Sequence, residues 1–386
     1  MAKTADVVIL GGGVIGCAAA YELAGAGLKV ALLERGAIGG EASSASAGLI
    51  VPLHATKRGR RTPLFDFYWA SSRRFPGLVA EVEEATGIRV EHLPRAPIRA
   101  ASTEAEEADL RESFEGWRGI EGVSVTWLDE KGLRDAEPGL GPEVRCGVVP
   151  EDESCVHPGR LTEALARAAA LRGAAVRTAC PVLGVRHRDG RFEAVLTPDG
   201  EVSAGELVIA AGAWSRVVSG WFGADVPIGP ARGQMLAVRP SVPALRHAIS
   251  SSRGTILPKP DGSVHVGATV EHVGFDNRNT PEGIAAVLSA IPSLAPALNR
   301  ATLERCWSGL RPWCADEAPA IGRLPGCEGV VLASGHFKLG ITGCAVTAQA
   351  LRTLIVDGRV DPLAAPFSPE RFAKGAKGSD HRKGAP

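Results

Sequence analysis

The apolar positions at the start of the chain predict a strand, a turn, a helix and a second strand. The run 6–10 is apolar and rich in β-branched residues, and it stops at the glycine-rich segment 11–16. Small and apolar residues continue at helical spacing from Cys17 to Leu23, and a second apolar run, 29–33, ends in Glu34. This order is typical of a β-α-β unit whose first turn carries Gly-x-Gly-x-x-Gly.

The three glycines of this turn predict three backbone features. Gly11 allows a tight turn, Gly13 leaves room for a pyrophosphate, and Gly16 lets the helix pack close to the strand. The helix start then favours negative charge through its free N–H groups and its dipole. We therefore expect a bound dinucleotide. A glycine turn in an ordinary parallel sheet is the alternative, but it does not account for Glu34.

Glu34 narrows the class of dinucleotide. It follows Gly16 by 18 positions, which is close to the spacing of about 20 at which an acidic residue meets the ribose hydroxyls. Because a carboxylate there repels a 2′-phosphate, the sequence favours FAD or NAD over NADP.

The rest of the chain indicates two interleaved regions. Strands and helices alternate again at 157–185 and 207–215, and a strand at 329–333 leads through a glycine into a helix at 341–356. Between them, 225–310 has the pattern of short antiparallel strands with one helix at 281–291. We predict an α/β fold with a discontinuous Rossmann-like domain (1–50, 151–220 and 320–366). An inserted antiparallel β-rich α+β substrate domain (51–150 and 221–319) and a flexible tail (367–386) complete the prediction.

The composition limits the class of protein to which the chain can belong. The chain of 386 residues is 45% hydrophobic, and its 43 basic residues balance 43 acidic ones. Such a composition favours a globular protein of about two domains and gives no sign of nucleic acid binding. No apolar run reaches the roughly 18 residues of a membrane span, and the first apolar run carries the glycine turn rather than a signal peptide. We expect a cytoplasmic protein that forms a homo-oligomer.

The eight cysteines and one basic segment are further candidate sites. The cysteines are scattered and include no C-x-x-C pair, which predicts reduced, mostly buried thiols and no metal site. The basic segment is Lys57-Arg58-Gly59-Arg60-Arg61. A solvated loop is the simpler interpretation of it. The alternative is an electropositive lip that attracts anionic substrates, partners or a membrane surface.

Several segments together resemble the D-amino-acid-oxidase superfamily of FAD-dependent oxidoreductases, and most of all the glycine oxidases of the thiamine pathway. The resemblance extends from Val8 to about Pro366. It rests on the glycine turn with Glu34 and on segments 43–49, 181–183, 210–215, 266–269, 307–312 (Trp-Ser-Gly-Leu-Arg-Pro), 320–322 and 335–341 (Gly-His-Phe-Lys-Leu-Gly-Ile).

The resemblance implies that the Rossmann-like domain is an FAD-binding domain and that the FAD is bound non-covalently. Some relatives attach flavin through a cysteine, but neither Cys306 nor Cys314 lies where that residue is expected. Glu34 is implied to meet the adenosine, 14–15 the pyrophosphate, and Val182 the adenine side. The segments 42–43, 47–49 and 336–342 are implied to meet the flavin. The implied cofactor-binding residues are Gly11, Gly13, Val14, Ile15, Gly16, Glu34, Arg35, Ala42, Ser43, Ala47, Gly48, Leu49, Val182, Gly212, His336, Phe337, Lys338, Leu339, Gly340, Ile341 and Thr342.

The resemblance also implies a substrate site. Arg311 matches the arginine that pairs with the substrate carboxylate, a role that suits the guanidinium fork; an interdomain salt bridge is the alternative. Lys338 stands where glycine oxidases commonly carry Arg, and Thr255 where a tyrosine commonly covers the substrate. We expect both to contact the substrate. No catalytic acid or base is implied, since the protein needs only to orient and desolvate a neutral amine.

Three functions remain open from the sequence. The first is oxidative deamination of glycine, a small (D-)amino acid or a secondary amine, which gives an imino acid, and H₂O₂ when O₂ is the electron acceptor. The second is a D-amino-acid or proline-type dehydrogenase that passes electrons to a quinone or a partner subunit. The third is a flavin-binding accessory protein without turnover, against which Arg311 and His336-Phe337 argue.

Overall fold

The structure, a computed structural model, describes residues 4–243 and 245–373, which form two large sheets with helices packed around them. The strands are β1 (Val7–Leu10), β2 (Val30–Leu33), β3 (Leu49–Ile50), β4 (Ile98–Ala101), β5 (Val125–Leu128), β6 (Cys146–Pro150), β7 (Ser154–Cys155), β8 (Ala175–Arg177), β9 (Gly184–Arg188), β10 (Arg191–Thr197), β11 (Gly200–Ser203), β12 (Glu206–Ile209), β13 (Ile228–Arg239), β14 (Ile249–Ser251), β15 (Gly254–Pro258), β16 (Val264–Gly267), β17 (Thr302–Cys314), β18 (Ala320–Arg323) and β19 (Val330–Ser334). The α-helices are α1 (Val14–Gly25), α2 (Ala42–Ala45), α3 (Pro63–Thr86), α4 (Glu104–Arg118), α5 (Glu130–Ala136), α6 (Pro158–Leu171), α7 (Ser215–Gly220), α8 (Pro281–Leu288), α9 (Ala290–Leu294), α10 (Gly340–Val356) and α11 (Glu370–Ala373).

The first sheet carries the glycine turn at its centre. Its strand order is β18-β19-β12-β1-β2-β8, and β1 pairs in parallel with β2 on one side and β12 on the other. Val7 and Ile9 face one apolar cluster while Val8 and Leu10 face a second one. Burial on both faces explains why the strand is a continuous apolar run. The chain changes direction across the sheet at β1, which is the place where open α/β sheets bind ligands.

The second sheet unites two distant parts of the chain. Its order is β17-β13-β16-β15-β14-β4-β6-β5, so strands from 98–150 lie beside strands from 228–314. β13 and β17 pair antiparallel over their full lengths, from Ile228 opposite Cys314 to Arg239 opposite Thr302. This long ribbon reaches from the second sheet to the carboxyl end of the first.

Helix α3 packs against both parts of the structure. Its first half, with Phe65 and Phe67, shares an apolar cluster with Val148 of the second sheet. Phe75, Val79 and Val82 belong to the same apolar cluster as residues of α1, α6 and α10. The predicted division places 51–150 wholly in the substrate domain, whereas the second half of this helix lies against helices of the Rossmann-like part. The apolar stripe of a helix predicts that one face is buried, but not which elements cover it.

The predicted flexible tail begins with residues that are packed. Phe367 is buried, and Arg371 donates from Nε to Asp316 at 2.7 Å. The remainder of that predicted tail, 374–386, lies outside the described residues. None of the described helices combines the length and the apolar character that crossing a bilayer requires.

Candidate active site

A cavity of about 820 Å³ lies beyond the carboxyl end of β1, between the two sheets. Its wall includes residues of β1, β2, α2, β13, β17 and the start of α10. All the site residues predicted from the sequence line this cavity, with the exception of Gly16, Leu339 and Thr342. The structure therefore gathers segments that are up to about 300 positions apart around one space.

The glycines of the turn are required for different reasons. Gly11 has φ +108°, and a Cβ there would come within 2.4 Å of the Ala210 carbonyl oxygen. A Cβ on Gly16 would lie 1.9 Å from the Gly11 oxygen, so this glycine sets the contact between α1 and the turn. Gly13 differs, because it lines the cavity and a Cβ there would meet only Ser43 Oγ, at 3.1 Å. Gly13 thus keeps a cradle open at the helix start.

Glu34 is fixed by backbone groups on both of its oxygens. Gly12 N–H donates to Oε2 at 2.7 Å and Gly36 N–H donates to Oε1 at 2.8 Å. The carboxylate therefore holds the glycine turn and still faces the cavity. Next to it, the Arg35 guanidinium lies 3.8 Å from the centre of the Trp214 ring, a cation–π contact.

Gly16, Leu339 and Thr342 lie behind the cavity wall. Leu339 packs into an apolar cluster. The Thr342 hydroxyl accepts from Val51 N–H at 3.2 Å and donates to the Leu49 carbonyl at 3.3 Å. These residues support the wall instead of forming its surface, a distinction that a linear motif does not carry. Their direct contact with a cofactor stays a prediction.

The segment 42–48 is anchored from three directions. Ser43 Oγ accepts from Val14 N–H at 2.9 Å. From the second sheet, Trp307 Nε1 donates to the Ala45 carbonyl at 3.1 Å, and Lys259 Nζ donates to the Ala47 carbonyl at 2.9 Å. The small side chains of the segment leave its backbone exposed to the cavity.

The junction of β19 and α10 forms the opposite wall. The Thr347 hydroxyl donates to the Gly343 carbonyl at 2.8 Å, so it accepts from His336 Nε2, also at 2.8 Å. Nδ1 of His336 is then a buried acceptor without a partner among the described residues. Burial lowers the pKa of His336 to about 3, and the ring is neutral.

These features fit FAD. Two helix N-termini, those of α1 and α10, face the cavity and offer N–H groups that have no intrahelical partner. Ser46 Oγ and His336 Nδ1 are buried polar atoms without partners in the described part of the chain. A ligand with phosphates and polar ring edges would supply what they lack.

Arg311 projects into the other part of the cavity. Its Nη1 donates to the Thr269 carbonyl at 2.9 Å and to the Arg232 carbonyl at 3.4 Å. Burial lowers the pKa of Arg311 to about 10, and Glu271 opposes that shift. No carboxylate of the described residues forms an ion pair with its guanidinium. The alternative interpretation, an interdomain salt bridge, therefore has no counterpart within the described ranges 4–243 and 245–373.

Lys338 and Thr255 complete this end of the cavity. Phe337 N–H donates to the Pro312 carbonyl at 2.9 Å, which places Lys338 beside the strand that carries Arg311. Burial, then the charge of Arg311, lowers the pKa of Lys338 from its usual 10.5. Thr255 pairs with Gly267 across β15 and β16.

Sequence reasoning did not identify His54 as a site residue. His54 follows β3 in a short 3₁₀ helix, and its side chain is open to the cavity. Its pKa lies well below its usual value because the surrounding protein desolvates it and because Arg99 and Lys338 repel a proton. The signal in the sequence was its position, five residues after Leu49 at the end of the predicted flavin segment 47–49.

Comparison with known proteins identifies the family. The model of the family described as "FAD dependent oxidoreductase" matches residues 6–354. The chain belongs to this family. It is 33% identical to a glycine oxidase of Geobacillus kaustophilus over 94% of the chain and 96% of the relative. It is also 34% identical to a bifunctional protein ThiO/ThiG of Synechocystis over 96% of the chain, where it spans 55% of that relative's length.

Solved structures of the same FAD-dependent oxidoreductase family agree with this assignment. The glycine oxidase of Geobacillus kaustophilus superposes with a TM-score of 0.89 at 32% identity, covering 94% of this chain and 98% of the other. An iminodiacetate oxidase of Chelativorans superposes with a TM-score of 0.85 at 26% identity, covering 94% and 98%. The predicted family, fold class and cofactor are thereby confirmed. This protein is an FAD-dependent enzyme, and the family and its relatives support amine oxidation.

Proposed function

We propose that this FAD-dependent oxidoreductase oxidises glycine, a small (D-)amino acid or a secondary amine at the carbon next to its carboxylate, giving an imino acid. Bound FAD would supply the hydride acceptor, and O₂ would reoxidise it with formation of H₂O₂. The observation that carries the proposal is Arg311, a partly buried cation that faces the cavity without an ion-pair partner among the described residues.

The assignment of the substrate carboxylate to Arg311 rests on charge and shape. A guanidinium binds a carboxylate through two parallel hydrogen bonds, which fixes both the position and the orientation of the attached carbon. Lys338 adds positive charge on the same side. It follows Phe337, whose N–H donates to the carbonyl of Pro312, the residue after Arg311. Two neighbouring cations, of which Arg311 is partly buried, repel each other without a counter-ion, so an anionic substrate completes the site.

The protein contributes orientation and removal of water rather than a side-chain base. The carboxylates that line the cavity are Glu34 and Glu41, and both belong to the Rossmann-like part. Among the titratable groups that line the cavity, Lys338 lies beside Arg311 and His54 is close to Lys338, and their surroundings lower the pKa of each. Such a site favours a neutral substrate amine, the form from which a hydride can be removed.

The test is anaerobic bleaching of the flavin in the purified holoprotein by glycine, sarcosine, D-alanine, D-proline and hydroxy-D-proline in turn. Air is then readmitted and peroxide is assayed. We expect at least one of these compounds to bleach the flavin, and rapid recolouring with stoichiometric peroxide. Slow recolouring without peroxide would replace the oxidase with a dehydrogenase. No bleaching by any of them would overturn the proposed substrate class.

A pair of variants on β17 ties the activity to the site. Arg311→Ala should retain FAD and lose bleaching, with kcat/KM reduced by roughly 10²-fold or more. Arg305→Ala is the matched control, because Arg305 is exposed on the same strand and does not line the cavity. Unchanged activity in Arg311→Ala, or an equal loss in Arg305→Ala, would contradict the assignment.

A further inference from the structure

A group of hydrogen-bonded side chains lies directly behind Arg311, on the side away from the cavity. Its centre is Glu271, whose carboxylate accepts from three side chains. Arg232 Nη2 donates to Oε2, while Gln234 Nε2, at 2.9 Å, and the Thr269 hydroxyl donate to Oε1. Arg232 and Gln234 are both buried.

Two of these residues are the same two that hold Arg311. Nη1 of Arg311 donates to the carbonyls of Thr269, at 2.9 Å, and Arg232, at 3.4 Å. Glu271 joins the side chains of these two residues. The carboxylate therefore adds side-chain bonds to the backbone bonds that hold the two carbonyls, and it does not line the cavity itself.

The backbone link between the two segments is short. Arg232 and Glu271 form an isolated bridge with one hydrogen bond in each direction, at 2.8 and 3.0 Å, and Thr269 N–H donates to the Gln234 carbonyl at 3.3 Å. Gln234 N–H donates to the Thr269 hydroxyl at 2.9 Å, so this hydroxyl connects β13 to Glu271. Gln234 also accepts from Thr280 N–H at 2.8 Å through Oε1, which ties the start of α8 to the same group.

The negative charge of Glu271 also helps to hold Arg311, in addition to the hydrogen bonds of its carboxylate. Partial burial opposes ionisation of Glu271, but the bonds from Arg232, Thr269 and Gln234 hold the pKa of its carboxyl below the usual value. The resulting negative charge also favours the charged form of Arg311. The carboxylate thus keeps the guanidinium both in place and ionised.

We propose that Glu271 is a positioning residue for the substrate carboxylate: it holds Arg232 and Thr269 so that Arg311 presents its fork to the cavity. The inference rests on the proposed role of Arg311. Because Glu271 lies outside the cavity wall, its removal should weaken carboxylate binding and raise KM while kcat and FAD content change little.

The chain offers matched variants. Glu271→Gln puts an NH₂ donor among three donors, so at least one hydrogen bond to the group is lost. Asp276→Asn is the control, since Asp276 also pairs with Arg232, at 3.2 Å, but has no bond to Thr269 or Gln234. Thr269→Val removes the connecting hydroxyl, and Thr269→Ser retains it.

The measurement uses acetate, a carboxylate without an amine, titrated into each holoprotein while the flavin absorbance is followed. We expect Glu271→Gln and Thr269→Val to weaken acetate binding roughly tenfold, with Asp276→Asn and Thr269→Ser within about twofold of the wild type. With the best substrate, Glu271→Gln should raise KM by a similar factor at nearly constant kcat. FAD content and melting temperature verify that each variant is folded.

The outcomes separate the two proposals. If Arg311→Ala leaves acetate binding unchanged, the site assignment fails. If Arg311→Ala abolishes acetate binding but Glu271→Gln and Thr269→Val bind it like the wild type, the positioning role alone is wrong. An equal loss in Asp276→Asn would also overturn it, because general loosening around Arg232 would then suffice. Should Glu271→Gln fail to fold, the comparison of acetate binding in Thr269→Val and Thr269→Ser tests the positioning role.

Discussion

The guanidinium of Arg311 lies directly over Gly233. A Cβ on Gly233 would come within 2.1 Å of Nη2 and 2.2 Å of Nη1. The two residues sit on the paired strands β13 and β17, and the missing side chain of one provides the space for the other. A glycine within the strand is thus explained by the charged group it accommodates.

Replacing this glycine should displace the arginine without unfolding the protein. In Gly233→Ala the clash is with the mobile end of a long side chain, so we expect stability to fall by less than about 1 kcal/mol. Acetate affinity and kcat/KM should fall by at least roughly tenfold, because the fork no longer faces the substrate. Gly229→Ala on the same strand is the control, as its Cβ would have no atom within 4 Å. Similar affinities in the two variants would refute the relationship.

The glycines of the turn should separate cofactor binding from folding. Gly13→Ala fills the cradle while meeting only Ser43 Oγ at 3.1 Å, so we expect a folded protein with at least roughly tenfold weaker FAD binding. Gly16→Ala would place a Cβ 1.9 Å from a backbone oxygen. This variant should lose about 2 kcal/mol or more of stability. FAD titration and thermal melting of both apoproteins measure this difference, and full FAD affinity in Gly13→Ala would contradict it.

Carboxylate binding should weaken on the alkaline side at a pH below the usual lysine range. Burial and Arg311 lower the pKa of Lys338 from 10.5, so its charge is present below that lowered pKa and lost as the pH rises through it. Acetate stays ionised above about pH 6, which makes the titration a report on the protein. Lys338→Arg should move the loss to higher pH, toward the pKa of about 10 for Arg311. An identical profile in Lys338→Arg would exclude Lys338 as the titrating group.

The flavin should leave the protein on denaturation. Cys306 and Cys314, which flank Arg311, do not line the cavity, and Cys180 is the cysteine of the described residues that does. Cys180 precedes Val182, on the predicted adenine side. Acid precipitation should therefore release all the FAD into the supernatant, as it should for Cys180→Ser. Colour that remains with the wild-type pellet but not with Cys180→Ser would demonstrate a covalent bond.

The sequence by itself determined the elements whose signals are local. The apolar run of β1, the glycines and Glu34 lie within about 30 positions. Gly11 is required by its positive φ, and Gly16 by its contact with Gly11 inside the same unit. Backbone geometry of this kind depends on residues close in the chain, so a pattern is enough to predict it.

Tertiary structure alone decided what surrounds Arg311. Its two carbonyl acceptors are 42 and 79 positions away, and the space it occupies is provided by Gly233 on another strand. The same holds for His54, for the packing of the second half of α3 against α6 and α10, and for Glu271. In each case the partner is brought near by sheet pairing and burial, which depend on the whole chain. The sequence could name the arginine, but only the packing of β13, β17 and the loop after β16 shows what keeps it in place.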